Sequence, residues 1–164
     1  MTTRSATRER STNETSISVS IDLDGGPVSA STGIPFFDHM LDQLGRHGGF
    51  GLDVRCTGDL DIDAHHTVED VGIAVGEAFA EALGDKAGVR RFASVRVPLD
   101  EALVDVALDL SGRPYLHHEV DFPGQKILGD PPFDPQLMEE FWRAFAMAAR
   151  ITVHLSLVRG KNTH

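Results

Sequence analysis

Two stretches of alternating apolar and polar residues, 87 positions apart, constrain the fold of this chain more than any other feature of its sequence. Large apolar side chains occupy every second position of residues 17–23, and the same alternation returns at residues 104–110. Alternation of this kind is typical of a strand that buries one face. A glycine follows each strand at the same spacing, Gly25 and Gly112. The sequence therefore predicts two copies of one structural unit.

A helix with one apolar face follows the strand in each copy. Its apolar positions recur at the three- and four-residue spacing of a helix. They are Phe36, Phe37, Met40, Leu41 and Leu44 in the first copy, and Leu137, Met138, Phe141, Phe145 and Ala148 in the second. Each helix leads to a further strand, at residues 52–56 and 151–158. Each of these strands leads to a polar loop that ends in a histidine, His65 or His164.

A long helix over residues 68–82 follows only the first of these histidines. Gly72 and Gly76 lie four residues apart on it, which favours close packing against a neighbouring element. We therefore predict an α+β fold, in which a duplicated unit of mostly antiparallel sheet carries helices on one face and the second repeat is incomplete.

The predicted division of the chain follows from this repeat. Residues 1–11 are rich in serine, threonine and arginine and are predicted to be a flexible N-terminus. The first repeat is predicted at residues 12–92 and the truncated second repeat at residues 93–164, both within one structural domain. Residues 121–135 contain four prolines and are predicted to form an exposed loop.

Composition excludes several classes of protein. The 164 residues include 15 lysines and arginines against 25 aspartates and glutamates, a net charge of −10 that repels nucleic-acid backbones. No apolar run approaches the roughly 20 residues that would span a bilayer. The one cysteine, Cys56, cannot form an internal disulfide, and the N-terminus lacks the apolar stretch of a secretory signal. We therefore expect a cytoplasmic protein that binds neither nucleic acid nor membranes.

The densest group of candidate metal ligands lies at residues 63–70, where the sequence reads DAHHTVED. On a helix, His65 and His66 each lie about one turn from Glu69, so imidazole and carboxylate can converge on one cation such as Mn, Fe or Zn. The alternative is structural, because Thr67 and Asp70 have the spacing of a capping box. If Thr67 were the cap, the two histidines would precede the helix.

His39 lies on the polar side of the first helix, where it is either a surface residue or a ligand oriented by Asp42. In the repeat, Glu140 takes the place of His39, and His164 takes the place of His65. The two repeats thus offer half-sites of similar composition, a plausible basis for a two-metal or bridged site. Of the other histidines, His47 is interpreted as a helix-terminal residue, and His117, His118 and His154 as surface residues.

Two arginines are candidates for binding an anionic group. Arg91 stands at the start of a predicted strand, and Arg113 follows the turn at Gly112. An arginine held at a turn beside carboxylates can bind a phosphate or a carboxylate of a substrate. The alternative is that both are solvated surface charges.

Four ordered segments resemble the imidazoleglycerol-phosphate dehydratase family. They are residues 33–42 (GIPFFDHMLD), 63–70, 98–102 (PLDEA) and 108–116, and the resemblance extends from about residue 10 to residue 164. It implies a duplicated α+β unit of the ribosomal protein S5 domain 2-like class. It also implies a large homo-oligomer, a 24-mer, with metal sites between subunits.

The resemblance implies roles for individual residues. The implied metal ligands are His39, His65, His66, Glu69, Glu140 and His164, which would hold two Mn²⁺ ions per site. The implied substrate-binding residues are Glu14, Gln43, Arg91 and Arg113, with the arginines facing a phosphate. The implied catalytic residues are Glu14, Asp100 and Glu69, and the choice between Glu14 and Asp100 as the acid/base stays open.

The implied activity is that of a manganese-dependent hydro-lyase of histidine biosynthesis, which dehydrates imidazole glycerol phosphate to imidazole acetol phosphate. In that family a second histidine and a helix with a glutamate follow the position of His164, so we expect the second half-site of this sequence to be incomplete and its activity reduced. The residues alone leave two alternatives, another metal-dependent lyase or hydrolase and a non-catalytic assembly or binding protein.

Overall fold

The computed structural model describes residues 4–122 and 127–164 as three helices and eight strands. The elements in chain order are β1 Ser5–Ser11, β2 Thr15–Asp22, β3 Val28–Ser31, α1 Pro35–Gly48, β4 Gly51–Gly58, α2 His65–Leu83, β5 Phe92–Leu99, β6 Ala102–Asp109, β7 Tyr115–Glu119, α3 Leu137–Ala149 and β8 Thr152–Arg159. None of the helices in these residues has the length and apolar composition needed to span a bilayer.

The strands form two four-stranded sheets with the same topology. The first has the order β1-β2-β4-β3 and the second the order β5-β6-β8-β7. In each sheet the first two pairings are antiparallel and the last is parallel. Strand β6 repeats β2 at an offset of 87 residues at both ends. The predicted α+β fold and its duplication are confirmed.

The prediction of a flexible N-terminus is wrong for residues 5–11, while residues 1–3 lie outside the described part of the chain. These residues form β1, which pairs with β2 along its whole length. Charged contacts also hold the strand, because Arg8 pairs with Glu81 at 2.5 Å and Arg10 with Asp70 at 2.9 Å. Both faces of this edge strand are largely polar, so it lacks the apolar alternation that marks β2.

The two glycines of α2 allow the closest helix packing in the fold. Helix α2 lies against β1, β2 and β4 and packs on α3 along its other side. A Cβ at Gly72 would lie 2.8 Å from the carbonyl oxygen of Phe141, and one at Gly76 would lie 2.7 Å from that of Phe145. The predicted close packing therefore occurs, between α2 and the helix of the second repeat.

The loop predicted at residues 121–135 is only partly exposed, and its residues 123–126 lie outside the described part of the chain. Leu128 and Phe133 are buried and form an antiparallel bridge with each other. The ring of Phe133 stacks on Phe37, with 5.9 Å between the ring centroids. The prediction of an exposed loop is wrong for these two residues, because an apolar pair anchors the proline-rich segment in the core.

The two sheets differ in how their apolar faces are covered. Helix α2 covers the first sheet, and within the described residues the second repeat has no helix in the equivalent place. Val95, Val97 and Leu99 of β5 are consequently between 49% and 68% exposed.

Candidate metal and substrate site

The two adjacent histidines lie in the first turn of α2, which begins at His65. The carboxylate of Asp63 accepts the backbone N–H of His65 at 2.7 Å. Thr67 does not cap the helix, because Ala64 holds the cap position and the Thr67 side chain is fully buried as the third residue of α2. The capping-box alternative is therefore wrong.

His65 and Glu69 face each other across one helical turn. The distance from His65 Nε2 to Glu69 Oε2 is 3.6 Å, and both side chains remain nearly half exposed. The pair thus offers one imidazole and one carboxylate to solvent, the donor types that suit Mn, Fe or Zn.

His66 is oriented by Asp59, in the turn between β4 and α2. His66 Nδ1 lies 2.8 Å from Asp59 Oδ2. This hydrogen bond raises the pKa of His66 above its usual value, and the charges of Asp59, Glu14 and Asp63 act in the same direction. With Nδ1 engaged, Nε2 is the nitrogen left for a ligand, which is the arrangement by which a carboxylate orients a metal-binding histidine.

A cavity beside this turn joins the two repeats. It has a volume of about 560 Å³, and both His65 and Glu140 line it, together with Asp63 and Glu139. Cavities of this size hold small-molecule ligands. The structure therefore brings Glu140 of α3 to the same cavity as His65.

His39 and His164 lie at another part of the surface. The ring of His164 packs edge-on against Phe36, at 5.6 Å between centroids, one turn before His39 on α1. His164 also lines a smaller groove with Asp100. Asp42, the predicted orienting partner of His39, instead accepts Arg46 Nε at 2.7 Å and Gln43 Nε2 at 3.1 Å.

No three histidine, cysteine or carboxylate side chains converge on a common point within residues 4–122 and 127–164. The predicted ligands therefore form separate groups in one chain rather than a finished site. The chemistry of the donors fits a divalent cation such as Mn²⁺, but each group by itself offers too few ligands.

Arg91 and Arg113 meet at one carboxylate. Arg91 Nε lies 2.7 Å from Asp109 Oδ1, and Arg113 Nη2 lies 3.7 Å from Asp109 Oδ2. Both guanidinium groups are at least half exposed. They form a basic pair at the end of β6 that is remote from Asp100, because the eight residues of β6, at about 3.4 Å each, span roughly 25 Å.

The remaining histidines fall into three environments. His47 lies in the last turn of α1, as predicted, within 3.1 Å of Gln43 Oε1. His117 and His154 are exposed, and their rings lie 5.2 Å apart. The prediction that His118 is a surface residue is wrong: its side chain is 8% exposed and lies 3.7 Å from Glu139. Burial against α3 lowers the pKa of His118.

Sequence reasoning missed two carboxylates that hold the first turn of α2. Asp59 contacts His66, and the buried Asp70 binds Arg10 and Thr15. Asp70 stands in the motif at residues 63–70, but its inward orientation depends on where α2 begins. No sequence motif marks Asp59, because its contact with His66 depends on how the turn after β4 folds.

Comparison with known proteins identifies the family. The profile of imidazoleglycerol-phosphate dehydratase matches residues 32–164. The chain belongs to this family. The imidazoleglycerol-phosphate dehydratase of Gluconacetobacter diazotrophicus is 56% identical over 164 residues, which are 99% of this chain and 81% of that protein. That of Acidothermus cellulolyticus is 53% identical over 98% of this chain and 77% of its own length.

Solved structures of the family agree with the fold. The imidazoleglycerol-phosphate dehydratase of Staphylococcus aureus superposes with a TM-score of 0.86 at 37% identity, over 98% of this chain and 87% of that one. The enzyme of Pyrococcus furiosus in complex with (S)-C348 gives a TM-score of 0.81 at 33% identity, over 96% and 82%. The resemblance seen in the four motifs is confirmed, and with it the class of enzyme, a lyase.

Proposed function

We propose that this protein dehydrates imidazole glycerol phosphate to imidazole acetol phosphate in histidine biosynthesis, with Mn²⁺ as its cofactor and in the cytoplasm. Membership of the family supports dehydratase activity. The observation that carries the proposal is the first turn of α2, where His65 faces Glu69 and Asp59 orients His66. Imidazole and carboxylate are donors that suit Mn²⁺, and an imidazole oriented by a carboxylate, as in His66, is typical of metal-binding histidines.

The proposed cation would be held by two groups of residues. One consists of His65, His66 and Glu69, with Glu140 at the same cavity. The other consists of His164, which packs against Phe36, and His39, which lies one helical turn after Phe36 on α1. A bound Mn²⁺ pair would make the imidazole ring of the substrate a better electron acceptor, and so ease removal of a proton from a carbon that is otherwise unactivated.

Proton transfer is the task that we assign to Glu14. The residue lies in the turn between β1 and β2, exposed, and its charge acts on His66. We call residues 65–69 of α2 the metal-binding turn, after their proposed role. A carboxylate beside this turn can take a proton from the substrate carbon and return one to the departing hydroxyl. Asp100, beside His164 in the smaller groove, is the second candidate. Gln43, on α1 one turn after His39, would contact the substrate.

The phosphate of the substrate would bind Arg91 and Arg113. Both arginines lie near the far end of α2, because Lys86, three residues after that helix, donates to the carbonyl oxygen of Leu110 beside Asp109. The 19 residues of α2, at about 1.5 Å each, span roughly 28 Å. One copy of the chain therefore cannot bring its own arginines to its own metal-binding turn. We infer that a complete site combines residues from different copies, as in a closed homo-oligomer, for which the family resemblance indicates 24 subunits.

The proposal is tested by assaying turnover of imidazole glycerol phosphate after chelation and after addition of Mn²⁺. We expect turnover only with the metal, and a loss of at least about tenfold in Mn²⁺ affinity in His65→Ala and Glu69→Gln. His154→Ala removes an exposed histidine far from the α2 turn and is the matched control. Mn²⁺ binding without dehydration would favour another metal-dependent lyase or hydrolase. Absence of Mn²⁺ binding would favour a non-catalytic protein.

A further inference from the structure

Asp70 is a buried carboxylate that the proposed chemistry does not use. It lies on the inner side of α2, directly after Glu69, and is 9% exposed. Its Oδ1 accepts hydrogen bonds from Arg10 Nε at 3.2 Å and Nη2 at 2.9 Å. A carboxylate at this depth is stable only when it is paired and hydrogen-bonded, as it is here.

The second oxygen of Asp70 reaches the turn between β1 and β2. Thr15 Oγ1 donates to Asp70 Oδ2 at 2.5 Å, and Thr12 Oγ1 lies 3.4 Å from the same oxygen. Among the described residues, the hydrogen bonds to this carboxylate come from β1, β2 and the turn that joins them. Asp70 thus connects α2 to that hairpin.

Thr12 links the Asp70 carboxylate to Glu14 through hydrogen bonds. The hydroxyl oxygen of Thr12 accepts the backbone N–H of Glu14 at 3.1 Å and that of Thr15 at 3.0 Å. The single proton of this hydroxyl faces two acceptors, Asp70 Oδ2 at 3.4 Å and Thr15 Oγ1 at 3.2 Å. Because Thr15 Oγ1 itself donates to Asp70 Oδ2, either choice links the backbone of Glu14 to the Asp70 carboxylate, through two hydrogen bonds or three.

The Asp70 carboxylate lies on the same helix as the metal-binding turn, at a fixed spacing from its residues. Asp70 is one residue from Glu69 and one helical turn from His66, whose ring is held by Asp59. Glu69 points to solvent while Asp70 points to the hairpin, so one turn of helix carries both a candidate ligand and an anchor.

We propose that Asp70 is a positioning residue that fixes Glu14 against the metal-binding turn of α2. The inference rests on the role proposed for Glu14 in proton transfer. Asp70 touches neither substrate nor metal and acts through Thr12. The hairpin that carries Glu14 and the helix that carries His65, His66 and Glu69 then move as one body.

The physical link is tested by amide hydrogen exchange, followed by NMR on the full 164-residue protein. In Asp70→Asn we expect the amides of Glu14 and Thr15 to exchange about tenfold faster, while amides in the middle of α2 keep their rates. Asp70→Glu, which keeps the charge that pairs with Arg10 but displaces the carboxylate oxygens, keeps the proposal testable if Asp70→Asn fails to fold. Thr12→Val removes the acceptor of the Glu14 N–H itself and gives the size of the effect when the link is lost. Glu81→Gln is the matched control, because it removes an exposed ion pair between the same strand and the same helix. Unchanged exchange at Glu14 in Asp70→Asn, or in Asp70→Glu if Asp70→Asn does not fold, would overturn the proposal.

The functional link is tested by a double-mutant cycle on kcat. If Asp70 acts through Glu14, Asp70→Asn should lower kcat about tenfold with KM and Mn²⁺ affinity within about threefold, and should cost little further in a Glu14→Gln background. Equal losses in both backgrounds would show an independent structural effect and overturn the proposal. Failure of the unaltered protein to dehydrate imidazole glycerol phosphate would instead count against the proposed function, and the exchange experiment would still decide whether Asp70 positions Glu14.

Discussion

At the scale of single residues, buried carboxylates hold the side chains of the candidate site in place. Asp59 approaches Nδ1 of His66 and is itself four-fifths buried. Among the described residues its second oxygen has no hydrogen-bond donor. The ring of His66 is therefore held from one side by a carboxylate in a fixed turn, and its orientation does not depend on a bound metal.

Replacement of Asp59 by asparagine should lower the pKa of His66 and destabilise the protein mainly at low pH. The contact raises the pKa of His66, so it stabilises the folded protein at pH values below the ordinary histidine pKa of 6.5, and that contribution is lost as the pH rises through the raised pKa. Asp59→Asn should therefore lower the pKa of His66 in an NMR titration and reduce Tm more at pH 5.5 than at pH 8.5. Asp61→Asn, an exposed carboxylate in the same turn, is the control. An equal reduction of Tm at both pH values would contradict this account.

At the scale of elements, sequence patterns predicted those parts of the fold that repeat and failed where tertiary contacts decide. The alternation in β2 and β6 and the apolar faces of α1 and α3 depend only on local periodicity, and each prediction is confirmed. Strand β1 has no such pattern, although the offset of 87 residues from β5 would have revealed it. The start of α2 and the partner of His66 depend on how the turn after β4 folds. The spacing of residues in the sequence does not predict that conformation.

The contact of α2 with α3 makes a prediction about Gly76. Alanine is the better helix former by about 1 kcal/mol, but its Cβ would lie 2.7 Å from the carbonyl oxygen of Phe145 and 2.8 Å from Cβ of Ala148. We expect Gly76→Ala to lower the free energy of unfolding by about 1–3 kcal/mol, because the backbone of α3 must shift. Urea denaturation measures the change. Glu81→Ala, an exposed position of the same helix, should stay within about 0.5 kcal/mol of the unaltered protein. A stabilised Gly76→Ala would show that the two helices are not in close contact.

At the scale of the whole molecule, the groups that a complete site needs are separated by the length of the fold. The metal-binding turn opens α2, and Arg91 follows its far end. Likewise Asp100 and His164 share a groove at one end of β6, while Asp109 holds both arginines at the other. Duplication explains why each repeat supplies part of the proposed ligand set. It does not bring the arginines to those residues within one chain, so the proposed function requires assembly.

This separation predicts that two inactive variants regain activity when they assemble together. Arg113→Ala should lose phosphate binding and His65→Ala should lose the metal-binding turn, so that each assembly is inactive alone. If every site takes its arginines from one copy and its α2 turn from another, random co-assembly of equal amounts leaves about a quarter of the sites with both groups intact. Co-expression of the two variants with different affinity tags, followed by purification through both tags, isolates the mixed assemblies for assay. Recovery of about a quarter of the original kcat is the expected result. Mixed assemblies that form but stay inactive would place the arginines and the metal-binding turn of a site in the same copy, against the distances that α2 and β6 impose.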